Sequence, residues 1–225
     1  MHHTMACLII RGMSEMLPER KRVFVVGDSI SIQYGPHLAR MLAPQFEYSR
    51  KEGDAEARLN LDNPVGANGG DSGHVRAYLT ALAHAGTFRT NYFLLNCGLH
   101  DIKSDPTNRA LQIPPDAYRA NLLAIISLRA TLCDELIWIR TTGVDEPLHA
   151  NRRAGFDRFQ RDIDAYNAIA DEIMREHGVH AIDLSTFTAS LGSGKDIFTD
   201  GVHYNDATQR AQAAFIAGWL ARHAR

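Results

Sequence analysis

The sequence predicts an α/β fold: a three-layer α/β/α sandwich around a mostly parallel sheet of about five strands. Three observations lead there. Short apolar runs such as Val23-Phe24-Val25-Val26 and Tyr92-Phe93-Leu94-Leu95 read as strands buried on both faces, the kind found in parallel sheets. Stretches of helical period, ten or more residues long, alternate with them. Strands that alternate with such helices mean βαβ units with right-handed crossovers.

The first run stops at Gly27, which permits a tight turn and delivers Asp28 and Ser29 just past the strand. That carboxyl edge is where open α/β sheets bind ligands. Gly35-Pro36 leads into the first helix: Pro36 suits a first helical position, Leu38, Met41 and Leu42 share a face, and Pro44 marks the end. Phe46-Glu47-Tyr48 is a candidate short strand, Lys51 to Arg58 is heavily charged, and Asn63 to Gly70 is turn chemistry. Asp71 or Ser72 caps a helix carrying Val75, Leu79 and Leu82 and closed by Gly86. The strand Tyr92 to Asn96 again ends at a glycine, Gly98.

Pro114-Pro115-Asp116 opens a long helix with Tyr118, Leu122, Ile125, Ile126 and Leu132 on its inner face. Glu135 to Arg140 is the next strand, and Thr141 to Gly155 a loop. A helix from about Phe156 to His177 stops at Gly178, and Val179 to Asp183 is a short last strand. The final helix, from about Asn205 to Arg222, is expected to bury Ala211, Ala214, Phe215 and Trp219. Residues 1 to about 20 read as an N-terminal extension of unknown role, and residues 21–225 as one domain.

Bulk composition narrows the function classes. With 45% hydrophobic and 22% charged residues the chain is an ordinary globular protein. A formal charge of −2 supplies no basic field for nucleic acid or an anionic membrane. No apolar run reaches the eighteen or so residues that span a bilayer, so no membrane insertion is expected. Met5 to Ile10 is too short for a signal-peptide core. Cys7, Cys97 and Cys133 form neither a disulfide framework nor a metal pattern. These points favour a cytoplasmic location.

Four blocks gather on the predicted functional edge: Gly27-Asp28-Ser29, Asn68-Gly69-Gly70-Asp71-Ser72-Gly73, Cys97-Gly98-Leu99-His100-Asp101 and Asp200-Gly201-Val202-His203. In this order the set resembles the SGNH hydrolases, also called the GDSL esterase/lipase family, over about residues 22 to 222. The resemblance implies the flavodoxin-like SGNH hydrolase fold and a serine esterase that works through an acyl-enzyme without cofactor or metal. It assigns Ser29 as nucleophile, His203 as general base and then acid, and Asp200 as the carboxylate that steadies the imidazole. It draws the oxyanion hole from the N–H groups of Ser29 and Gly73 and a third donor.

That third position departs from the family. Where the pattern is Gly-x-Asn-Asp, this chain has Gly98-Leu99-His100-Asp101. Imidazole can still donate a hydrogen bond, with a pH dependence that an amide lacks. The departure is also open to an altered reaction or to a non-catalytic, ligand-binding descendant.

Plainer roles stand beside these. A serine after a strand more often caps a helix, Asp28 suits a turn better than acid catalysis, and Asp101 suits the fixing of the block-three turn by accepting N–H bonds. Cys97, at the end of a buried strand, reads as a small packed hydrophobe. Lys103 and Arg140 are possible substrate contacts, although most such charges are simply solvated. His177 and His180 show no third ligand for a metal. The polar loop around Asn60 to Gly70 and the lack of an apolar lid favour a small-molecule ester with a short acyl group, such as acetyl, on a polar or carbohydrate-like alcohol. Acyltransferase, thioesterase and lysophospholipase activities on the same site are the alternatives.

Overall fold

The computed structural model describes residues 19–224; most of the expected N-terminal extension, with Cys7, lies outside them. In chain order the elements are β1 (Lys21–Val26), α1 (Ser29–Leu42), β2 (Phe46–Arg50), α2 (Asp54–Ala57), α3 (Ser72–Ala85), β3 (Thr90–Leu95) and α4 (Pro115–Ser127). There follow α5 (Arg129–Leu132), β4 (Cys133–Ile139), α6 (Glu146–Asn151), α7 (Gln160–Glu176), β5 (His180–Ile182), α8 (Leu184–Ala189) and α9 (Asp206–His223).

The five strands form one sheet in the order β2-β1-β3-β4-β5, and every pairing is parallel. β1 lies inside the sheet, with Val23 opposite Tyr48 on one side and Tyr92 on the other. Its four apolar residues, Val23 to Val26, are all buried, as two covered faces require. α1 and α8 pack on α9, while α4 packs on α3 and α7. Those two groups are the outer layers of the sandwich. Chain direction reverses about β1: β2 lies to one side and β3, β4 and β5 to the other. The crevice beyond the carboxyl ends of β1 and β3 is therefore the switch point where such sheets bind ligands.

The structure moves the start of the first helix. α1 begins at Ser29, capped by Asp28, whose carboxylate accepts the Ile30 N–H at 2.9 Å. Pro36 then lies inside the helix, where it has no N–H for the Ile32 carbonyl. Arg58 makes up the loss: its Nη2 donates to that carbonyl at 2.8 Å. An outside donor lets the helix run through a proline that local sequence marks as a beginning.

Other boundaries shift for local reasons. The long helix opened by Pro115 stops at Ser127, and Leu132 belongs to the separate turn α5. α7 begins at Gln160 rather than Phe156, and α6 occupies part of the expected Thr141–Gly155 loop. On α9 the buried face carries Ala213, Ile216 and Leu220 instead of Ala211, Ala214, Phe215 and Trp219. The aromatic residues there find partners at the rim: Phe215 stacks on Phe187 of α8 at 4.1 Å and Trp219 on His223 at 4.3 Å.

Candidate active site

Ser29 is the first residue of α1, delivered by β1 and buried to 3% exposure. Because Asp28 performs the capping, the Ser29 hydroxyl is left for other work. It meets His203: Ser29 Oγ and His203 Nε2 are 3.0 Å apart. His203 Nδ1 lies 2.7 Å from Asp200 Oδ2. A carboxylate at that distance keeps the proton on Nδ1, so Nε2 is free to accept the serine proton.

The loop that holds His203 is built from its own short-range bonds. Asp200 Oδ1 accepts the N–H groups of Val202 at 3.0 Å and His203 at 2.8 Å, while Oδ2 faces the ring. Burial alone would raise the Asp200 carboxyl; the bonds from His203 and Val202 outweigh it and hold the group well below the usual carboxylate range. Gly201 between them has φ +87°, and a Cβ there would come within 2.4 Å of the His149 nitrogen. Only glycine fits that contact. The end of the loop is moored to α1, where Tyr204 N–H donates to Gln33 Oε1 at 3.2 Å.

Ser29 is the first residue of α1 and Gly73 the second of α3, and neither N–H has an acceptor among the described residues. Helix N-termini leave such donors free for an anion. α3 is fixed against the block-three loop by Asp101, whose two oxygens accept the Ser72 N–H at 2.9 and 3.0 Å. Asp101 thus ties two blocks together, where sequence placed it within its own turn. Burial raises its carboxyl to about 7, even against that bond.

His100 is buried in the same loop, and neither ring nitrogen has a protein partner. Burial first, then the cations of Lys103 and Arg158, push its imidazole well below the ordinary histidine range. It is neutral with one N–H, and the pH dependence expected of it moves far to the acid side. Gly98 shapes this loop: with φ +152°, it would set a Cβ 2.5 Å from Thr141 Oγ1. Cys97 is fully buried, and burial drives its thiol well above the usual value, which makes it a poor nucleophile.

The two candidate substrate contacts part company. Lys103 lines an open groove of about 700 Å³, together with Asn60, Asp62, Gln112, Arg152 and Phe156. Its ammonium donates to the Asp62 carbonyl at 2.7 Å and sits 4.6 Å from the centre of the Phe156 ring. Burial and the nearby Arg158 lower it to about 8. Arg140 is not brought to this groove. Its guanidinium pairs with Asp171 at 3.0 Å and Asp183 at 3.3 Å.

Sequence reasoning missed a cationic bracket behind the groove. Arg152 lies between Asp62 and the loop that carries Asp200 and His203, its Nε 3.3 Å from Asp200 Oδ2 and its Nη2 paired with Asp62. Arg158 is buried, donates to the Leu99 carbonyl at 2.7 Å and stands 3.6 Å from Asp62. Through Arg152 the groove wall touches the Asp200 carboxylate directly. Nothing in the spacing of Asp62, Arg152 and Arg158 advertises this, because they meet only when the two loops do.

The family model for GDSL-like lipases and acylhydrolases matches residues 25–211. The chain belongs to that family. Among solved structures, this GDSL-family chain is similar to a lipase/acylhydrolase from Enterococcus faecalis (TM-score 0.65, 17% identity, covering 90% of this chain and 96% of that one). It is similar to Axe2, an acetylxylan esterase from Geobacillus stearothermophilus (TM-score 0.62, 15% identity, 87% and 92% covered). Est24, a carbohydrate acetylesterase from Sinorhizobium meliloti, gives a TM-score of 0.61 at 14% identity over 91% and 100% of the two chains. At these identities the likeness is one of fold. No curated protein matches the chain. Among the described residues, no helix is long and apolar enough to cross a membrane.

Proposed function

We propose that this GDSL-family acylhydrolase is a serine esterase that cleaves a carboxylic ester through an acyl-enzyme intermediate. The observation that carries the reading is the continuous relay from Ser29 Oγ to His203 Nε2 at 3.0 Å and from His203 Nδ1 to Asp200 at 2.7 Å. Ser29 Oγ attacks the ester carbonyl as its proton passes to Nε2, and the imidazolium that forms is held by Asp200. Negative charge collects on the carbonyl oxygen, which the free N–H groups of Ser29 and Gly73 and the His100 ring receive. Collapse expels the alcohol with the proton from His203. Water, deprotonated by the same imidazole, then attacks the acyl-enzyme and releases the acid and Ser29.

The groove beside the triad supports the substrate class. Asn60, Asp62, Lys103, Gln112 and Arg152 offer hydrogen bonds to a polar leaving group, and Phe156 is the aromatic exception. Such a lining suits a hydroxyl-rich alcohol better than a lipid tail. An acetylxylan esterase and a carbohydrate acetylesterase among the fold neighbours agree with a short acyl group on a carbohydrate-like alcohol. The buried, unpaired Cys97 and Cys133 are consistent with a reducing, cytoplasmic setting.

Two measurements on one preparation test this. A fluorophosphonate should add a single label, located on Ser29 by peptide mass spectrometry and lost in Ser29→Ala. Hydrolysis of p-nitrophenyl esters should fall from acetyl through butyryl to octanoyl. Labelling elsewhere with Ser29 untouched sinks the mechanism, and a tenfold preference for octanoate sinks the short-acyl assignment.

A further inference from the structure

At the opposite end of the sheet, away from Ser29, three side chains converge that belong to no part of the proposed mechanism. Glu135 is the third residue of β4, and the register pairs Ile137 of that strand with His180 of β5. Residues two apart share a sheet face, so Glu135 and His180 project to the same side as diagonal neighbours. His223, in the last turn of α9, comes down onto them. His180 Nδ1 lies 2.8 Å and His223 Nε2 2.6 Å from the same oxygen, Glu135 Oε1. All three donor atoms fall within 4.8 Å of one another.

We propose that Glu135, His180 and His223 form a site for a divalent transition metal, with Zn(II) the natural occupant. Two imidazole nitrogens and one carboxylate oxygen suit zinc and its neighbours, whereas calcium and magnesium require oxygen ligands throughout. The geometry is within reach. Tetrahedral ligands on zinc stand about 3.3 Å apart, so side-chain shifts of roughly half an ångström or a little more, opening both nitrogens from Oε1, admit the ion. It would replace the two ring protons that now point at one carboxylate oxygen. The rings are held ready: their centroids are 4.6 Å apart, and Trp219 stacks on His223 at 4.3 Å. The His180 side chain is 60% exposed against 31% for Glu135 and 24% for His223, which leaves one side open for water as a fourth ligand.

The site fastens the carboxyl end of α9 to β4 and the edge strand β5. It is a clamp on the helix that follows the His203 loop, and it takes no part in the ester chemistry. His177, close in sequence, is not one of its ligands.

The test uses the full chain carrying His2→Ala and His3→Ala, which removes the histidine pair near the N-terminus as a rival chelator. Calorimetric titration with Zn(II) alone should show one equivalent bound. Tm should rise by roughly 5–10 °C at a hundredfold excess over Kd. Co(II) in place of zinc should give the visible absorption of a low-coordinate ion. Loss of an outer-sphere partner typically weakens a metal site about 10–100-fold, so removing a ligand should cost at least about 100-fold. His180→Ala, His223→Ala and the milder Glu135→Gln should each show it, with metal-free melting curves to establish that they fold. Absence of saturable zinc binding overturns the proposal. So does binding that survives both histidine substitutions, which would put the metal elsewhere.

Discussion

His100→Ala separates a catalytic imidazole from a space-filling one, because the structure predicts opposite results for activity and stability. A buried side chain normally stabilises the fold, and truncating a large one costs about 3 kcal/mol or more. His100 is an exception, since both of its nitrogens are buried without a protein partner. Each unsatisfied polar group carries a penalty of about 1–3 kcal/mol. Alanine removes the ring's packing and that penalty together, so the net change in stability should stay within about 2 kcal/mol. On the proposed mechanism the same N–H meets a developing oxyanion in the transition state, and losing one such donor costs about 10²–10³ in kcat, or about 3–4 kcal/mol. KM should change little, because the bond strengthens only as charge develops. The assay is kcat per titrated active site, measured beside a melting curve, for the parent, His100→Ala and His100→Asn. Asparagine should recover much of the activity by supplying an N–H of similar reach. A kcat in the alanine variant within a few-fold of the parent would refute the assignment and leave a hole of two backbone donors.

Asp101 and Arg58 give further expectations. Burial raises the Asp101 carboxyl to about 7 in the folded chain, so the folded state binds the proton that the unfolded state has already released. Its contribution is therefore present in acid and lost as pH rises through about 7. The free energy of unfolding from denaturant titrations should fall between pH 5 and 8 by roughly 2–3 kcal/mol more for the parent than for Asp101→Asn; equal slopes for the two would contradict the burial argument. Arg58→Met removes the donor to the Ile32 carbonyl and should cost about 1–2 kcal/mol, a fall in Tm of roughly 3–6 °C. Adding Pro36→Ala restores an N–H to the helix and should recover most of the loss; a double variant no better than the single one rules out that account.

What could be read from the residues alone follows the range of the interactions involved. Strands β1, β3 and β4 declare themselves because burial on both faces leaves continuous apolar runs, and the candidate site residues sit in blocks whose spacing is local. Asp200 and His203 are three apart, and their geometry is set within one loop. α1 starts ahead of the place Pro36 predicts because the bond that carries the helix through that proline, from Arg58 to Ile32, spans 26 residues. The buried face of α9 differs from the expected one because Phe215 and Trp219 pair with neighbours at the rim. Arg152 and Asp62 are separated by 90 residues and by unrelated loops. Periodicity carries no trace of such a meeting. Arg140 illustrates the converse: its place at a strand end was legible, but the two carboxylates that occupy it were not.

The contact between Ser29 and His203 spans 174 residues, and this has a bearing on the protein's biosynthesis. Ser29, the proposed nucleophile, leaves the ribosome early, on the first strand and helix, while His203, its proposed base, follows only after the whole sheet has been made. Even then His203 is brought home by α9, whose first residue, Asp206, reaches back to His37 of α1 at 2.9 Å. A nascent or truncated polypeptide that lacks α9 carries the serine with no seated partner to activate it. Long-range closures of this kind are slow, because loop entropy is spent before the contact is gained. On the proposed mechanism, hydrolytic competence is therefore among the last properties the polypeptide acquires.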